Sequence, residues 1–221
     1  PIFLPTDISG LLCDLDADNI TGVLNNGVVT TWLDTINAIN PTEATNKPTL
    51  KQNQLNGHNT VLFDGVNDKL VSASVAALNV TSCTIATVKR RVTNIGAVSQ
   101  DMVSLYVSGG LNTLRDTAFN TANQTVMIGL TSGYVAADNT DTLNTFSVQV
   151  KTMANAASVA SVTNYLNGVA TAGNEDGTPV GAITAVSRIL VLGTGITPNN
   201  TNWANFEVAR VLIYNSVLST A

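Results

Sequence analysis

The sequence predicts an all-β fold, a sandwich of two antiparallel sheets in a single domain, and three observations carry that expectation. The first is alternation. Val61 to Leu70 (V-L-F-D-G-V-N-D-K-L) runs alternating apolar residues into a Gly/Asn/Asp turn, and Phe206 to Tyr214 (F-E-V-A-R-V-L-I-Y) alternates again before Asn215. A period of two puts Val61 and Phe63 on one face, and Val208 with the alternate residues after it on one face. The second is the recurrence of turn signals at short intervals: Asn25-Asn26-Gly27, Asn56-Gly57, Asp64-Gly65, Gly109-Gly110, Asn167-Gly168, Asp176-Gly177 and Pro198-Asn199-Asn200. Many short strands with that spacing suit a sandwich or barrel. The third is composition. Asn and Thr make up roughly a quarter of the 221 residues; Thr fits a pleated surface, and Asn tolerates left-handed backbone in turns.

Between the turns the expected strands are Gly10 to Leu15, Val28 to Leu33, Val61 to Phe63, Lys69 to Ala73, Cys83 to Arg91, Met102 to Val107 and Thr113 to Phe119. Thr125 to Leu130, Asn144 to Lys151, Ser161 to Leu166, Arg188 to Leu192 and Phe206 to Tyr214 follow. The Ala-rich stretch Thr152 to Ala160 reads as a loop or strand entry. No fixed-period repeat is present, which counts against a propeller or β-helix. Nothing in the middle reads as a linker, so the expected organisation is an N-terminal arm at 1–9, lying on a partner, and one domain at 10–221.

Several short motifs occur in a set order: Leu15-Asp16-Ala17-Asp18, Thr31-Trp32 with Asp34, Asn56-Gly57 before Phe63-Asp64-Gly65, then Asn67-Asp68 and Leu70. Thr84 to Lys89, Tyr165 to Gly168, Ile189 to Gly193 and the late Val208-Ala209 with Val211 to Asn215 complete them. In that order they resemble the concanavalin A-like, laminin-G-like jelly-roll domains of secreted and phage-encoded proteins. The resemblance implies a jelly-roll sandwich and leaves function open, because that fold hosts lectins, glycosidases and structural subunits. There are departures. Asp14 stands where the family usually has an aromatic residue, Phe206 at a usual glycine, and Arg210 at a usual Glu. Relatives continue into a short C-terminal helix where this sequence stops, so either the helix is lacking or the sequence is truncated.

Charge excludes some partners. With a net charge of −5 and ten Lys and Arg, no basic stripe is available for nucleic acid. The one basic cluster, Lys89-Arg90-Arg91, reads as a solvated strand end or hairpin. No run reaches the roughly 18 consecutive apolar residues of a membrane span. Pro1 to Pro5 lacks the features of a secretory signal, so a signal was removed or none was needed. Cys13 and Cys83 each lie in an apolar run and read as buried free thiols, the alternative being a disulfide between them in an oxidising compartment.

Candidate chemistry is sparse. The resemblance implies that a glucanase on this fold would show E-x-D-x-E, because glycoside hydrolysis needs two carboxylates placed across the bond, about 5 to 10 Å apart. The three Glu, at 43, 175 and 207, lack that spacing. Glu175-Asp176 reads as a Gly-flanked turn and His58 as a surface hairpin residue, so the chain is expected not to be an enzyme. Calcium is the possible cofactor, since hard cations want clustered oxygens on loops. Asp16 and Asp18 form one candidate cluster and Asp64, Asn67 and Asp68 another; the competing reading is that these side chains tie off turn amides. For a glycan, an exposed aromatic would stack on a sugar face. Trp203, in a loop, and Tyr134 are the candidates, against end-plugging roles; Trp32 reads as core.

The expected function is a non-catalytic structural or adhesive module on a virion surface, a phage capsid decoration or fibre-type subunit, homo-oligomeric and bound to other virion proteins. The alternative is a secreted, lectin-like carbohydrate-binding module.

Overall fold

The computed structural model describes residues 4–93, 100–107, 113–119, 123–129, 132–155, 162–172, 174–180, 183–194 and 202–218; within 119–139 and 172–180 the description is of the backbone alone. In chain order the strands are β1 (Leu11–Asp16), β2 (Thr49–Leu55), β3 (His58–Asp64), β4 (Leu70–Val71), β5 (Cys83–Arg91), β6 (Gln100–Tyr106), β7 (Leu114–Phe119) and β8 (Asn123–Gly129). They continue with β9 (Ser132–Thr140), β10 (Ser147–Met153), β11 (Val162–Leu166), β12 (Val169–Ala172), β13 (Asn174–Val180), β14 (Ile189–Leu192) and β15 (Asn205–Tyr214). They form two antiparallel sheets, so the expected all-β sandwich is the fold. The first sheet runs β12-β11-β10-β5-β15-β3-β2 with β1 also on β15, and the second runs β13-β9-β8-β7-β6-β14-β4.

The inward faces follow from alternation. Cys83 and Ile85 on β5, Val61 and Phe63 on β3, and Cys13 and Leu15 on β1 are buried in one cluster with Met102, Leu105 and Leu114 of the second sheet. Phe63 and Phe206 are direct cross-strand partners and stack with ring centroids 4.7 Å apart. Two Asn-Gly turns close two-residue hairpins: Asn56 and Gly57 between paired Leu55 and His58, Asn167 and Gly168 between paired Leu166 and Val169. All four have positive φ, the geometry that matches strand twist and that Asn and Gly reach most cheaply.

On β15 the strict alternation fails. Val208 pairs with Lys89, but the next rung joins Arg210 to Val88, leaving Ala209 as a bulge. Val211 and Ile213 therefore face the core with Val208, while Arg210 and Leu212 turn outward. An extra residue re-aims every side chain beyond it. The expectation that Val208 and its alternates share one face is corrected accordingly.

Other expectations are corrected too. Val28 to Leu33 is not a strand; it makes only isolated bridges, Val28 to Thr49 and Thr31 to Thr42. Its buried residues, Val29 and Trp32, are three apart, which no strand period allows. Trp32 is held in the core, its Nε1 donating to the Asp16 carbonyl at 3.1 Å. Asp34 organises the same loop, accepting from the amides of Asp14, Ile36, Asn37 and Ile39. Glu175 and Asp176 lie in β13, opposite Val135 and Tyr134, not in a turn. The strand β2, with its polar K-Q-N-Q centre, carries too little apolar pattern to be read in advance.

The basic run is the largest correction. Lys89 and Arg91 are fully buried between the sheets, and only Arg90 faces out, paired with Glu207 and lying over Phe146 at 4.7 Å. Because β5 is flanked on both sides, its period of two sends alternate residues inward whatever their charge. Lys89 and Lys151 both bond Asp116, and Arg91 bonds Asp141 through Nε at 2.9 and 3.1 Å. Arg188, also buried, donates to the carbonyls of Val80 at 2.7 Å and Thr184 at 3.0 Å. Cys13 and Cys83 are buried free thiols; burial pushes the Cys83 thiol up to about 12, against the pull of Arg188. At the N-terminus, Pro5–Asp7 form one 3-10 turn, and Tyr214 Oη donates to the Pro5 carbonyl at 3.2 Å.

Candidate functional site

The outward turn of Arg210 creates a cleft on the solvent face of the first sheet. Asp16 of β1 and Val88 of β5 are its rung partners, and antiparallel partners share a face. The 3-10 turn Ala17–Asn19 then carries Asp18 over the start of β3, where His58 and Asn59 stand just past the Asn56-Gly57 hairpin. Asp16, Asp18, Leu55, His58, Asn59, Val88, Ala209 and Arg210 line a cleft of about 230 Å³. A second hollow of about 90 Å³, walled by Ala86, Val148 and Leu212, shares Val88 and Arg210 with it.

The polar groups of the cleft are already tied to one another. Asp18 Oδ2 meets His58 Nδ1 at 2.5 Å, and Asp18 Oδ1 accepts from the Asn59 amide at 2.7 Å. Asp16 Oδ1 accepts from the Asp18 amide at 3.0 Å, and Asp16 Oδ2 lies 3.3 Å from the Arg210 guanidinium. Arg210 also holds Asp14 in a bidentate pair at 2.9 and 2.7 Å. The hydrogen bond and charge of Asp18 raise the His58 pKa. Partial burial works to raise that of Asp18, but the His58 bond and the Asn59 amide overrule it and the net direction is down.

Of the residues singled out from sequence, Asp16 and Asp18 are brought together here; both oxygens of each carry an amide or a cation. Asp64, Asn67 and Asp68 lie at the far end of β3. There Asp64 Oδ1 accepts from the amides of Val66, Asn67 and Asp68, and Asp68 Oδ2 accepts from the Asp64 amide at 3.0 Å. Burial, helped by the Asp64 charge, raises the Asp68 pKa to about 6. Among the described residues no three His, Cys, Asp or Glu side chains converge as a metal site. Trp203 is half-buried in the loop before β15 and is not part of the cleft wall. Tyr134 lies on β9, on the other sheet, and its side chain is outside the described residues. Arg210, Asn59 and His58 were missed as a group. Their only advance signal was the departure from family pattern at Asp14 and Arg210, because partners 196 residues apart leave no local spacing.

No family model and no curated protein matches the sequence. Solved structures do match in fold. Trypanosoma rangeli sialidase superposes with a TM-score of 0.65 at 17% identity, over 96% of this chain and 31% of the sialidase. Its complex with sialic acid gives 0.63 at 18%, over 99% and 33%. The binding domain of botulinum neurotoxin serotype D gives 0.61 at 10%, over 95% and 48%. The chain therefore spans about a third of the sialidases and about half of the toxin binding domain. At identities this low the superposition shows a shared fold and nothing more.

These neighbours correct the expectation that the chain is not an enzyme: the same fold is carried within sialidases, which are enzymes. The physical reason is that counting carboxylates along the sequence finds only clusters on one strand. Folding here brings His58 of β3 beside Asp18, a contact that such counting cannot see.

Proposed function

We propose that this chain is a carbohydrate-binding module and that its sugar site is the cleft at Asp16, Asp18, His58, Asn59 and Arg210. The carrying observation is the mixed chemistry of that lining: carboxylates, an imidazole, an amide and a guanidinium alongside the apolar Leu55, Val88 and Ala209. A pyranose presents the same mixture, with hydroxyls that donate and accept and a CH face that prefers apolar contact. A volume of about 230 Å³, below the roughly 300–1,000 Å³ of drug-sized sites, suits one ring. The adjoining apolar hollow along Val148 and Leu212 offers room for the next unit of a chain. That a sialidase and a toxin binding domain share the fold supports the reading.

A glycan array followed by titration calorimetry tests it. Binding is expected for the wild-type chain, a loss of tenfold or more (~1.4 kcal/mol) for His58→Ala and Asp18→Asn, and wild-type affinity for Trp203→Ala. No glycan bound at millimolar concentration, or binding that only Trp203→Ala abolishes, overturns the assignment.

Two finer proposals rest on the sequence. The order of the L-D-A-D, W-x-D, F-D-G-x-N-D and Y-L-N-G motifs supports membership of the concanavalin A-like, laminin-G-like group. Low charge and an Asn/Thr-rich composition support display on a virion surface, in a homo-oligomer beside other virion proteins. A chain that is strictly monomeric and absent from purified particles would overturn the second.

A further inference from the structure

Two lysines from one sheet converge on one aspartate of the other. On the inner face, Lys89 pairs with Ser147 and Lys151 with Ile85, one inward rung to either side of Thr87 and Gln149. Both lysines lean onto Asp116 of the facing β7, and all three side chains are fully buried. Lys89 Nζ also touches Met102 Sδ at 3.3 Å. Nearby, Arg91 pairs with Asp141, whose charge also acts on Lys89. Both lysines thus meet the one Asp116 carboxylate where water does not reach.

Such an arrangement is costly to keep ionised, since each buried ion forfeits its hydration. Burial lowers the Lys89 pKa, only partly opposed by the Asp116 charge, and so favours the neutral amine. A neutral amine held against a carboxyl is a nucleophile in place. Its hydrogen bond to Asp116 Oδ2 holds Nζ beside the carboxyl group, so that a bond to Cγ would form within one preassembled site.

We propose that Lys89 and Asp116 condense into an amide that joins β5 of the first sheet to β7 of the second. The Lys89 Nζ lone pair forms a bond to Asp116 Cγ, and a Cγ–O bond breaks. The Lys151 ammonium, bonded to Asp116 Oδ1, stabilises the charge on the tetrahedral oxygens and gives up one proton. A second proton comes from Lys89 Nζ, and the departing oxygen leaves as water. An amine, a carboxylate and an ammonium thereby become an amide, a water and an amine, with no oxidant or further reagent. The product carries no charge, which removes the penalty of the buried ions. Thr87 Oγ1 and Gln149 Oε1, on the rung between the lysines, have no protein hydrogen-bond partner among the described residues and can receive the water.

The test is the intact mass of the denatured wild-type chain after a day at mildly alkaline pH. The expected mass is that of the sequence less one water. Tryptic digestion should leave Lys89 uncut and yield 70–90 joined to 116–151. Lys89→Met should show the full mass of its own sequence, and Lys151→Met should lose water more slowly. Because the wild-type measurement decides alone, misfolding of a variant does not blunt the test. A wild-type chain at its full mass, a water loss that survives Lys89→Met, or a link mapped to Lys151 overturns the proposal.

Discussion

Arg210 grips Asp14 with both arms of its guanidinium, Nε to Oδ1 at 2.9 Å and NH2 to Oδ2 at 2.7 Å, across the seam where β1 meets β15. These are two of the positions at which the chain departs from the concanavalin A-like pattern, and each departure is the other's partner. The bulge at Ala209 makes the pair possible by turning Arg210 outward. Asp14 is buried, so removing its cation leaves a poorly solvated charge. Arg210→Met is expected to cost ~1–3 kcal/mol in urea unfolding. Asp14→Asn with Arg210→Met should cost less than the two singles added, and strict additivity would show that the pair contributes nothing.

Gly193 has φ +89°, and a Cβ there would lie 2.4 Å from Phe63 Cδ1 and 2.5 Å from the Asp68 carbonyl. Gly193→Ala is therefore expected to lose at least ~2 kcal/mol, from left-handed strain and from pushing on the Phe63–Phe206 stack. Gly57 has the same φ with nothing within 4 Å. Gly57→Ala should cost about 1 kcal/mol, the backbone term alone. Equal losses at the two sites would refute the packing argument.

The His58–Asp18 pair sets a pH window. Because Asp18 raises the His58 pKa above 6.5, the contribution of His58 is complete below 6.5 and fades as pH rises through the raised value. Asp18, held below 3.8, contributes above 3.8 and loses its share as pH falls through its folded value. Melting midpoints of the wild type should fall slightly more from mildly acidic to mildly alkaline pH than those of His58→Ala, which keeps every other titrating group. Both groups are open to solvent, so the difference should shrink in high salt. A wild-type profile parallel to that of the variant would remove the pair from the account.

Asp68 behaves in the opposite sense. Its folded pKa of about 6 lies above the ordinary 3.8, so the folded chain binds more protons in that interval and stability falls as pH rises through it. Asp68→Asn keeps an oxygen for the Asp64 amide and removes the charge. At pH 7 it should gain ~1 kcal/mol after allowance for solvent screening. A loss at every pH would mean that the carboxylate itself is needed.

Calcium offers a different use of these oxygens. With Asp64 Oδ1 shared among three amides and both oxygens of Asp16 and Asp18 engaged, melting midpoints should coincide in EDTA and in millimolar Ca²⁺. A rise with the metal would assign a calcium site.

How much of this was legible in advance depends on distance along the chain. Alternation at Val61 and Phe63, the Asn-Gly hairpins and the strand Cys83–Arg91 are local patterns, and sterics at that range make them readable. The strand β2 and the strand holding Glu175 were not, because backbone pairing rather than side-chain pattern creates them.

The sequence alone determined that this chain builds two antiparallel layers, because a period of two and positive-φ turns act over a few residues. Only the tertiary structure decided which way its charged residues face. One inserted residue at Ala209 turned Arg210 toward Asp14 and opened the cleft. On β5, central between its neighbours, the pleat sent Lys89 and Arg91 inward to meet Asp116 and Asp141. Both outcomes depend on register between strands distant in sequence, which closes only when the sheets pair.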